Sequence, residues 1–393
     1  MTPISDAAAA DEVATSDWPR LRIAHVSDWC FPRRGGIEMQ LAGLAAEQTR
    51  RGHHVEIVTA MPGEPTVDGI PVHRLPGFRL PFAGVTASAQ QFTALREILE
   101  RGRFDVVHVH CGIIAPLAYG SASLSARAGF PTVLTFHSVY DYLRPALRAL
   151  GWVGRARELP IAWSAVSRFV ADETRRTLGV GDVRVLPNGI APEEWRTTAP
   201  APFDGELRVT SVMRLHPRKR PRALFPILER AQRLAGPRAR ITLDIVGDGV
   251  ERRAVERLAR QAGLDRVRLH GWLSRDVIAR LLARSHAFIL PTRMESFGIA
   301  ALEAMCAGLP VLARRDTGVA DFVADGVNGF LGASDRDLAD ALAALATDRD
   351  LRARIAERNR SLVTPFAWPA VAARVESAYA AAAALQRRSP HHS

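Results

Sequence analysis

From Leu21 onward, short apolar and β-branched runs alternate with longer stretches whose apolar residues recur at helical spacing. A parallel sheet with crossover helices produces this alternation, because strands buried on both faces read as nearly unbroken hydrophobic runs. The pattern predicts strands at Arg22–Ser27, His54–Thr59, Phe104–His110, Pro131–His137, Ala162–Ser167 and Arg184–Pro187, with helices such as Ile37–Arg51, Gln90–Arg101 and Ser167–Leu178 between them. After Pro187-Asn188-Gly189 it breaks, and Ala199-Pro200-Ala201-Pro202 with Asp204-Gly205 has the composition of a connector. Alternation then restarts with strands at Leu207–Met213, Arg240–Val246, Val267–Leu269, Ala287–Leu290 and Pro310–Ala313 and helices including Arg222–Leu234 and Val250–Gln261. Trp368–Leu385 reads as one long helix.

The expected organisation is α/β, with two Rossmann-like, doubly wound domains at residues 20–199 and 200–366 facing across a cleft. A flexible leader is expected at 1–19, and a C-terminal helix at 367–386 packing back on the first domain. A chain of 393 residues is long enough for two cores. Its apolar share of 47% and charged share of 24% exclude wholesale disorder. The net charge of +11 comes mostly from arginine and asks for an anionic partner, without choosing among a nucleotide, a lipid headgroup and a nucleic acid. Nucleic acid is set aside, since no recognised module or basic stripe interleaved with aromatics is present. Cys30, Cys111 and Cys306 match neither a disulfide framework nor a zinc finger, which fits a reducing, cytoplasmic compartment. The first residues carry Asp6, Asp11, Glu12 and Asp17 and lack the features of a secretory signal. No run approaches the roughly 20 apolar residues that span a bilayer.

Ligands of open parallel sheets gather beyond the carboxyl ends of strands, so the residues at those ends carry the functional reading. Directly after the strand ending at Leu290 comes Pro291-Thr292-Arg293-Met294-Glu295-Ser296-Phe297-Gly298, and then the apolar run Ile299–Cys306 containing Glu303. With Ser296 as helix cap, Glu295 falls in the loop and Glu303 about two turns into the helix. The amides of Phe297 and Gly298 then lie at the positive helix end as an anion site. The plain alternative is a pair of solvated glutamates, against which stands the cost of an idle carboxylate in an apolar run. The second signal is Arg214 with Lys219, after the first strand of the second domain. Arginine forks across two phosphate oxygens and lysine adds a mobile point charge. Its plain alternative is a solvated basic turn, given Arg218, Arg220 and Arg222 nearby.

Other signals are discounted. Asp335-Arg336-Asp337 and Asp348-Arg349-Asp350 spell a divalent-metal pattern, but both open predicted helices, where acidic residues serve as caps. His108 and His110 share a strand face from which Cys111 points away, so no metal is assigned there. Gly247-Asp248-Gly249 is read as a tight turn and not a dinucleotide fingerprint. The mixed apolar and basic segment Tyr140–Arg157 is read as a half-buried amphipathic helix near an acceptor site, with a peripheral contact to anionic lipid as the alternative.

Gly35-Gly36 with Glu38, Arg214 with Lys219, and Glu295 with Glu303 follow one another in an order that resembles the family-four glycosyltransferases of the GT-B class over nearly the whole chain. The resemblance implies retaining, front-face transfer from a UDP-sugar or GDP-sugar to a small-molecule, glycan or lipid-linked acceptor, with neither cofactor nor essential metal. The first domain would then read the acceptor and the second the donor. It implies that Gly35 and Gly36 let the backbone approach the diphosphate and that Arg214 and Lys219 bind it. Glu295 would hold hydroxyls of the transferred sugar and Glu303 the ribose, beside the anion site already read at Ser296, Phe297 and Gly298. His137, in Thr135-Phe136-His137-Ser138, matches the active-site histidine, and Trp272 and Leu273 match the nucleobase loop. Arg220 stands where a glycine often follows the lysine, which puts the turn geometry in question. Two other readings remain open: a sugar-nucleotide epimerase or hydrolase on the same fold, and a non-catalytic nucleotide-sugar-binding protein.

Overall fold

The computed structural model describes residues 19–33, 35–76, 88–112, 115–139, 156–197, 199, 201–263, 266–361 and 365–389. The leader at 1–18 and nearly all of Tyr140–Arg157 lie outside them. The chain runs through β1 (Arg22–Ser27), α1 (Gly36–Arg50), β2 (His54–Thr59), β3 (Thr66–Val67), β4 (Ile70–Arg74), α2 (Ala89–Gly102), β5 (Val106–Cys111), α3 (Pro116–Arg127), β6 (Thr132–Phe136), β7 (Ile161–Ala165), α4 (Arg168–Leu178) and β8 (Arg184–Val185). It continues through β9 (Glu206–Val212), α5 (Leu224–Ala235), β10 (Arg240–Val246), α6 (Arg252–Ala262), β11 (Val267–Gly271), α7 (Arg275–Leu282), β12 (Ala287–Leu290), α8 (Ile299–Cys306), β13 (Val311–Arg314), β14 (Gly329–Gly332), α9 (Asp335–Thr347), α10 (Arg349–Ser361) and α11 (Trp368–Arg388).

Two units emerge from the packing. One gathers the described residues up to Gly189 together with those from Pro365 on, and the other starts at Ile190 and ends before Pro365. The first holds a sheet in the order β3-β4-β2-β1-β5-β6-β7-β8, parallel except for the β3/β4 hairpin. The second holds β11-β10-β9-β12-β13-β14, parallel throughout. Both are doubly wound, and each reverses its order beside its first strand, at β1/β5 and at β9/β12. Such switch points open a crevice at the carboxyl edge of the sheet. Three strands went unpredicted. β3 and β4 form a hairpin through Asp68-Gly69, at φ 48° and 80°, and β14 is half glycine and carries no β-branched residue.

Helix α11 belongs to the first unit. Its Val371, Val375, Ala378 and Tyr379 complete a core with Ile23, Leu41, Val55 and Ile57. Trp368 fits because positions 43 and 189 lack side chains; a Cβ on Gly43 or Gly189 would stand 2.2 or 2.1 Å from the indole. Glu376, fully buried, takes both prongs of Arg51 at 2.7 Å and His53 Nε2 at 3.0 Å. Burial pushes this carboxyl up, but the bonds from His53 and Arg51 outweigh it and hold the group below its ordinary range. No helix among the described residues is long and apolar enough to cross a membrane.

Removing one partner of a buried ion pair strands the other charge. Glu376→Ala should therefore lower the stability of the first unit by roughly 3–5 kcal/mol in urea unfolding; a loss below about 1 kcal/mol, the range of a surface pair, would contradict this role for the pair.

Candidate functional site

In the second unit, the loops after β9 and β12 are fastened to their neighbours by backbone. A Cβ on Gly247 would meet Met213 O at 1.9 Å and one on Gly249 would meet Leu215 O at 2.4 Å, so this turn must be bare for Met213–Leu215 to lie against it. Leu215 N donates to Asp248 O at 2.9 Å, and Glu251 N donates to Leu215 O at 3.0 Å. Arg214, between those anchored residues, projects into solvent and has no side-chain partner among the described residues. Five residues on, Lys219 Nζ donates to Oε2 of the buried Glu295 at 2.7 Å. The two loops are also stitched directly, by Thr292 Oγ1 to Lys219 O at 3.3 Å and by Arg220 to Pro291 O at 2.8 Å.

Arg220 adopts φ 57°, ψ 46°, the left-handed backbone that glycine takes freely and other residues take at a cost of about 1–2 kcal/mol. Its guanidinium forks onto Asp335 at 2.9 and 2.6 Å, which also holds that carboxyl below its ordinary range. The turn thus keeps a glycine's geometry and gains an ion pair. That pair occupies the first acid of Asp335-Arg336-Asp337. Asp337 closes a capping box with Ser334, and Asp348 accepts from Leu351 N at 2.8 Å.

The helix after Glu295 begins later than the sequence suggests. Ser296 is not its cap; Gly298 is, at φ 91°, ψ 54°, and α8 starts at Ile299. The reason is the turn at Gly318. Its N donates to Glu295 O at 2.8 Å, and it packs so closely that a Cβ there would lie 2.0 Å from Ser296 O, which keeps Ser296-Phe297 outside the helix. Glu303 consequently lies about one turn into α8 and not two, and the first-turn amides are those of Ile299 and Ala300 rather than of Phe297 and Gly298. Desolvation raises the half-buried Glu303 carboxyl to about 8, against the pull of Arg275. Trp272 is 62% exposed and Leu273 half-buried, just after β11.

In the first unit, α1 begins at Gly36 with Gly35 as a bare cap, where a Cβ would lie 2.6 Å from Glu38 Oε2. Glu38 is buried and paired with Arg33. His137 follows β6 and lines a small, open pocket together with His110, Asn188, Gly189 and Trp368. Behind it runs a polar chain that sequence reasoning missed. His137 Nε2 lies 3.0 Å from His110 Nδ1, His110 Nε2 2.9 Å from His25 Nδ1, and His25 Nε2 2.7 Å from Gln48 Oε1. The available signal was His25 in the first strand at the same height as His108-Val109-His110 in its neighbour. His25, His108 and His110 offer ligating atoms within 4.8 Å of one another, a geometry able to hold a metal ion. Burial keeps all four imidazoles neutral, with His25 and His137 lowered to about 4 and His108 and His110 well below the usual histidine range.

Two family models match the chain: Glycosyltransferase Family 4 over residues 34–194 and Glycosyl transferases group 1 over residues 195–362. The D-inositol 3-phosphate glycosyltransferase of Xylanimonas cellulosilytica is 31% identical over 88% of this chain and 92% of its own. The phosphatidylinositol N-acetylglucosaminyltransferase gpi3 subunit of Schizosaccharomyces pombe is 24% identical over 90% and 79%. Among solved structures, Anabaena Alr3699/HepE in complex with UDP and glucose superposes with a TM-score of 0.72 at 20% identity, over 92% of this chain and all of that one.

The histidines make acid stability asymmetric. Between pH 6.5 and about 4 the unfolded chain binds protons that these folded imidazoles refuse, so stability is full above that window and falls as pH drops through it. Asp28, raised by burial to about 7 in the same unit, works in the opposite sense but is outnumbered. The urea midpoint of the first unit should fall steadily from pH 6.5 to 4.5; a flat or rising midpoint contradicts neutral histidines.

Proposed function

Because the chain belongs to the family-four glycosyltransferases of the GT-B fold, we propose that it is a retaining enzyme moving a sugar from a nucleoside-diphosphate donor to an acceptor hydroxyl without an essential metal. The observation that carries this reading is the Lys219–Glu295 pair with Arg214, which has no side-chain partner among the described residues, at the carboxyl ends of the two switch-point strands β9 and β12. Glu295 neutralises Lys219 through their 2.7 Å ion pair. A diphosphate supplies a stronger anion, draws Lys219 onto the phosphate that bears the sugar, and frees the Glu295 carboxylate for sugar hydroxyls. Arg214 forks onto the other phosphate oxygens.

The bond from the anomeric carbon to the departing phosphate oxygen breaks while the acceptor oxygen bonds to the same face, and the departing oxygen takes the acceptor's proton. Arg214 and Lys219 stabilise the negative charge that grows on the leaving group, the electrostatic term on which such a reaction chiefly depends. Metal independence is supported by the occupied acids: Asp335 is spent on Arg220, and Asp337 and Asp348 on helix caps. Glu303 takes the ribose hydroxyls, the base lies against Trp272 and Leu273, and Gly35 and Gly36 offer the first-turn amides of α1 to an oxyanion. UDP is the first base to try, since a solved neighbour holds it, and GDP the second. The names of the two relatives make inositol-bearing molecules, free or lipid-linked, the first acceptors to try. Three buried free cysteines suit a reducing, cytoplasmic setting.

Incubated with UDP-sugars or GDP-sugars and inositol-bearing acceptors in the presence of EDTA, the protein should give a product with the donor's anomeric configuration. Arg214→Ala and Glu295→Ala should each lower kcat/KM by roughly 100- to 1,000-fold with the fold intact. Unchanged turnover in both variants sinks the site. Donor isomerised or hydrolysed without acceptor points to the epimerase or hydrolase instead.

Ribose hydroxyls donate best to an ionised carboxylate, and Glu303 is protonated below about pH 8. Nucleoside-diphosphate binding at pH 7 should therefore release a proton, seen by calorimetry in buffers of different ionisation enthalpy. Glu303→Gln should abolish that release, and a release that persists in the variant removes Glu303 from the ribose.

A further inference from the structure

The polar chain behind His137 has a direction, and the direction can be read from its far end. Ser164 Oγ donates to the backbone oxygen of Leu134 at 3.2 Å, and a carbonyl only accepts. Ser164 has a single proton, so Thr135 Oγ1, 2.7 Å away, must be the donor to Ser164. Thr135 has then spent its own proton, and His108 Nε2, at 2.7 Å from Thr135 Oγ1, must carry the hydrogen of that contact. A neutral His108 accepts at Nδ1, from the Tyr379 hydroxyl at 2.9 Å. The Tyr379 oxygen in turn accepts from Gln48 Nε2 at 2.9 Å, which turns Gln48 Oε1 toward His25.

From this pivot the polarity passes along the histidines. His25 Nε2 must hold a proton for Gln48 Oε1, so its Nδ1 is bare and receives His110 Nε2–H. His110 Nδ1 is bare for the same reason and receives His137 Nε2–H. One ring nitrogen is left over, Nδ1 of His137, which has no partner among the described residues.

We propose that Gln48, Tyr379, His25 and His110 are positioning residues which lock His137 in the Nε2–H tautomer, so that it meets the substrate only as a hydrogen-bond acceptor through Nδ1. His25, His108 and His110 are fully buried and the half-buried His137 is desolvated, which supports neutral imidazoles throughout. A proton taken up at Nδ1 could not be passed inward along the chain, because the side-chain amide of Gln48 interrupts it. His137 therefore orients a hydroxyl without becoming an imidazolium. The catalytic part of this inference rests on the transferase reading; the tautomer does not. A chelate of His25, His108 and His110 fits less well. His25 Nδ1 and His110 Nε2 face each other at 2.9 Å, the length of one N–H···N bond. Two nitrogens on one tetrahedral zinc stand about 3.3 Å apart with lone pairs converging on the ion.

Long-range nitrogen–proton spectra of the full chain labelled with nitrogen-15 histidine test this, with His137 assigned by its loss in His137→Gln. A bare Nδ1 and protonated Nε2 from pH 6 to 8 support the proposal; a protonated Nδ1 overturns it. Gln48→Met removes the pivot without touching His137. A mixture of His137 tautomers, with kcat at least about tenfold lower and donor KM unchanged, supports the proposal; an unchanged tautomer in the folded variant overturns it. If Gln48→Met does not fold, Tyr379→Phe deletes only the hydroxyl that orients Gln48, and the same two outcomes decide. Stoichiometric zinc binding that erases the N–H pattern of His25 and His110 also overturns the relay. The locked tautomer in a protein that transfers no sugar supports the relay and overturns the transferase reading.

Discussion

Parallel pairing allows a sheet no choice about where its strands end: every loop that follows a strand emerges on one edge. Both chemical centres of this chain obey that constraint. Arg214 and Lys219 follow β9 and Glu295 follows β12, the two strands between which the second sheet reverses its order. His25 and His110 lie on β1 and β5, the corresponding pair in the first sheet, and His137 follows β6. The chemistry set at these equivalent places is opposite in kind. The second unit gathers full charges, with Arg214 lacking a side-chain partner among the described residues and Lys219 paired to Glu295. In the first, the histidines are neutral groups, which burial disfavours ionising and whose donors and acceptors must therefore match one by one.

Much of the fold could be read from the order of residues, because strands buried on both faces advertise themselves as apolar runs. Most predicted strands fall within two residues of the observed ones. What escaped was written in weaker signals. In the Asp68-Gly69 hairpin β3 has only two residues and β4 carries Pro71, and Gly329–Gly332 is half glycine. The start of α8 escaped because it is decided at Gly318, far along the chain, whose contact with Ser296 no local pattern announces.

At the sites, residue types were legible and partnerships were not. Arg214, Lys219, Glu295 and His137 stand out by type and by position after strands. Arg220 looked like a departure, and only the fold shows Asp335 arriving to receive it. His108 and His110 looked like a discarded metal pair, and only the fold brings His25, Gln48 and Tyr379 to them from three other elements. Long-range hydrogen bonds of this kind leave no periodicity to detect.

The place of α11 has a consequence for how the chain comes to exist. The helix that supplies Tyr379 and the partner of Arg51 is synthesised after the whole second unit, yet it belongs to the core of the first. During translation the second unit is continuous and can close as soon as it leaves the ribosome. The first must wait with Gln48 and His108 short of a partner and an apolar face uncovered. Domains usually mature in the order in which they are made. Here the order is inverted, and the amino-terminal unit is the last to be finished.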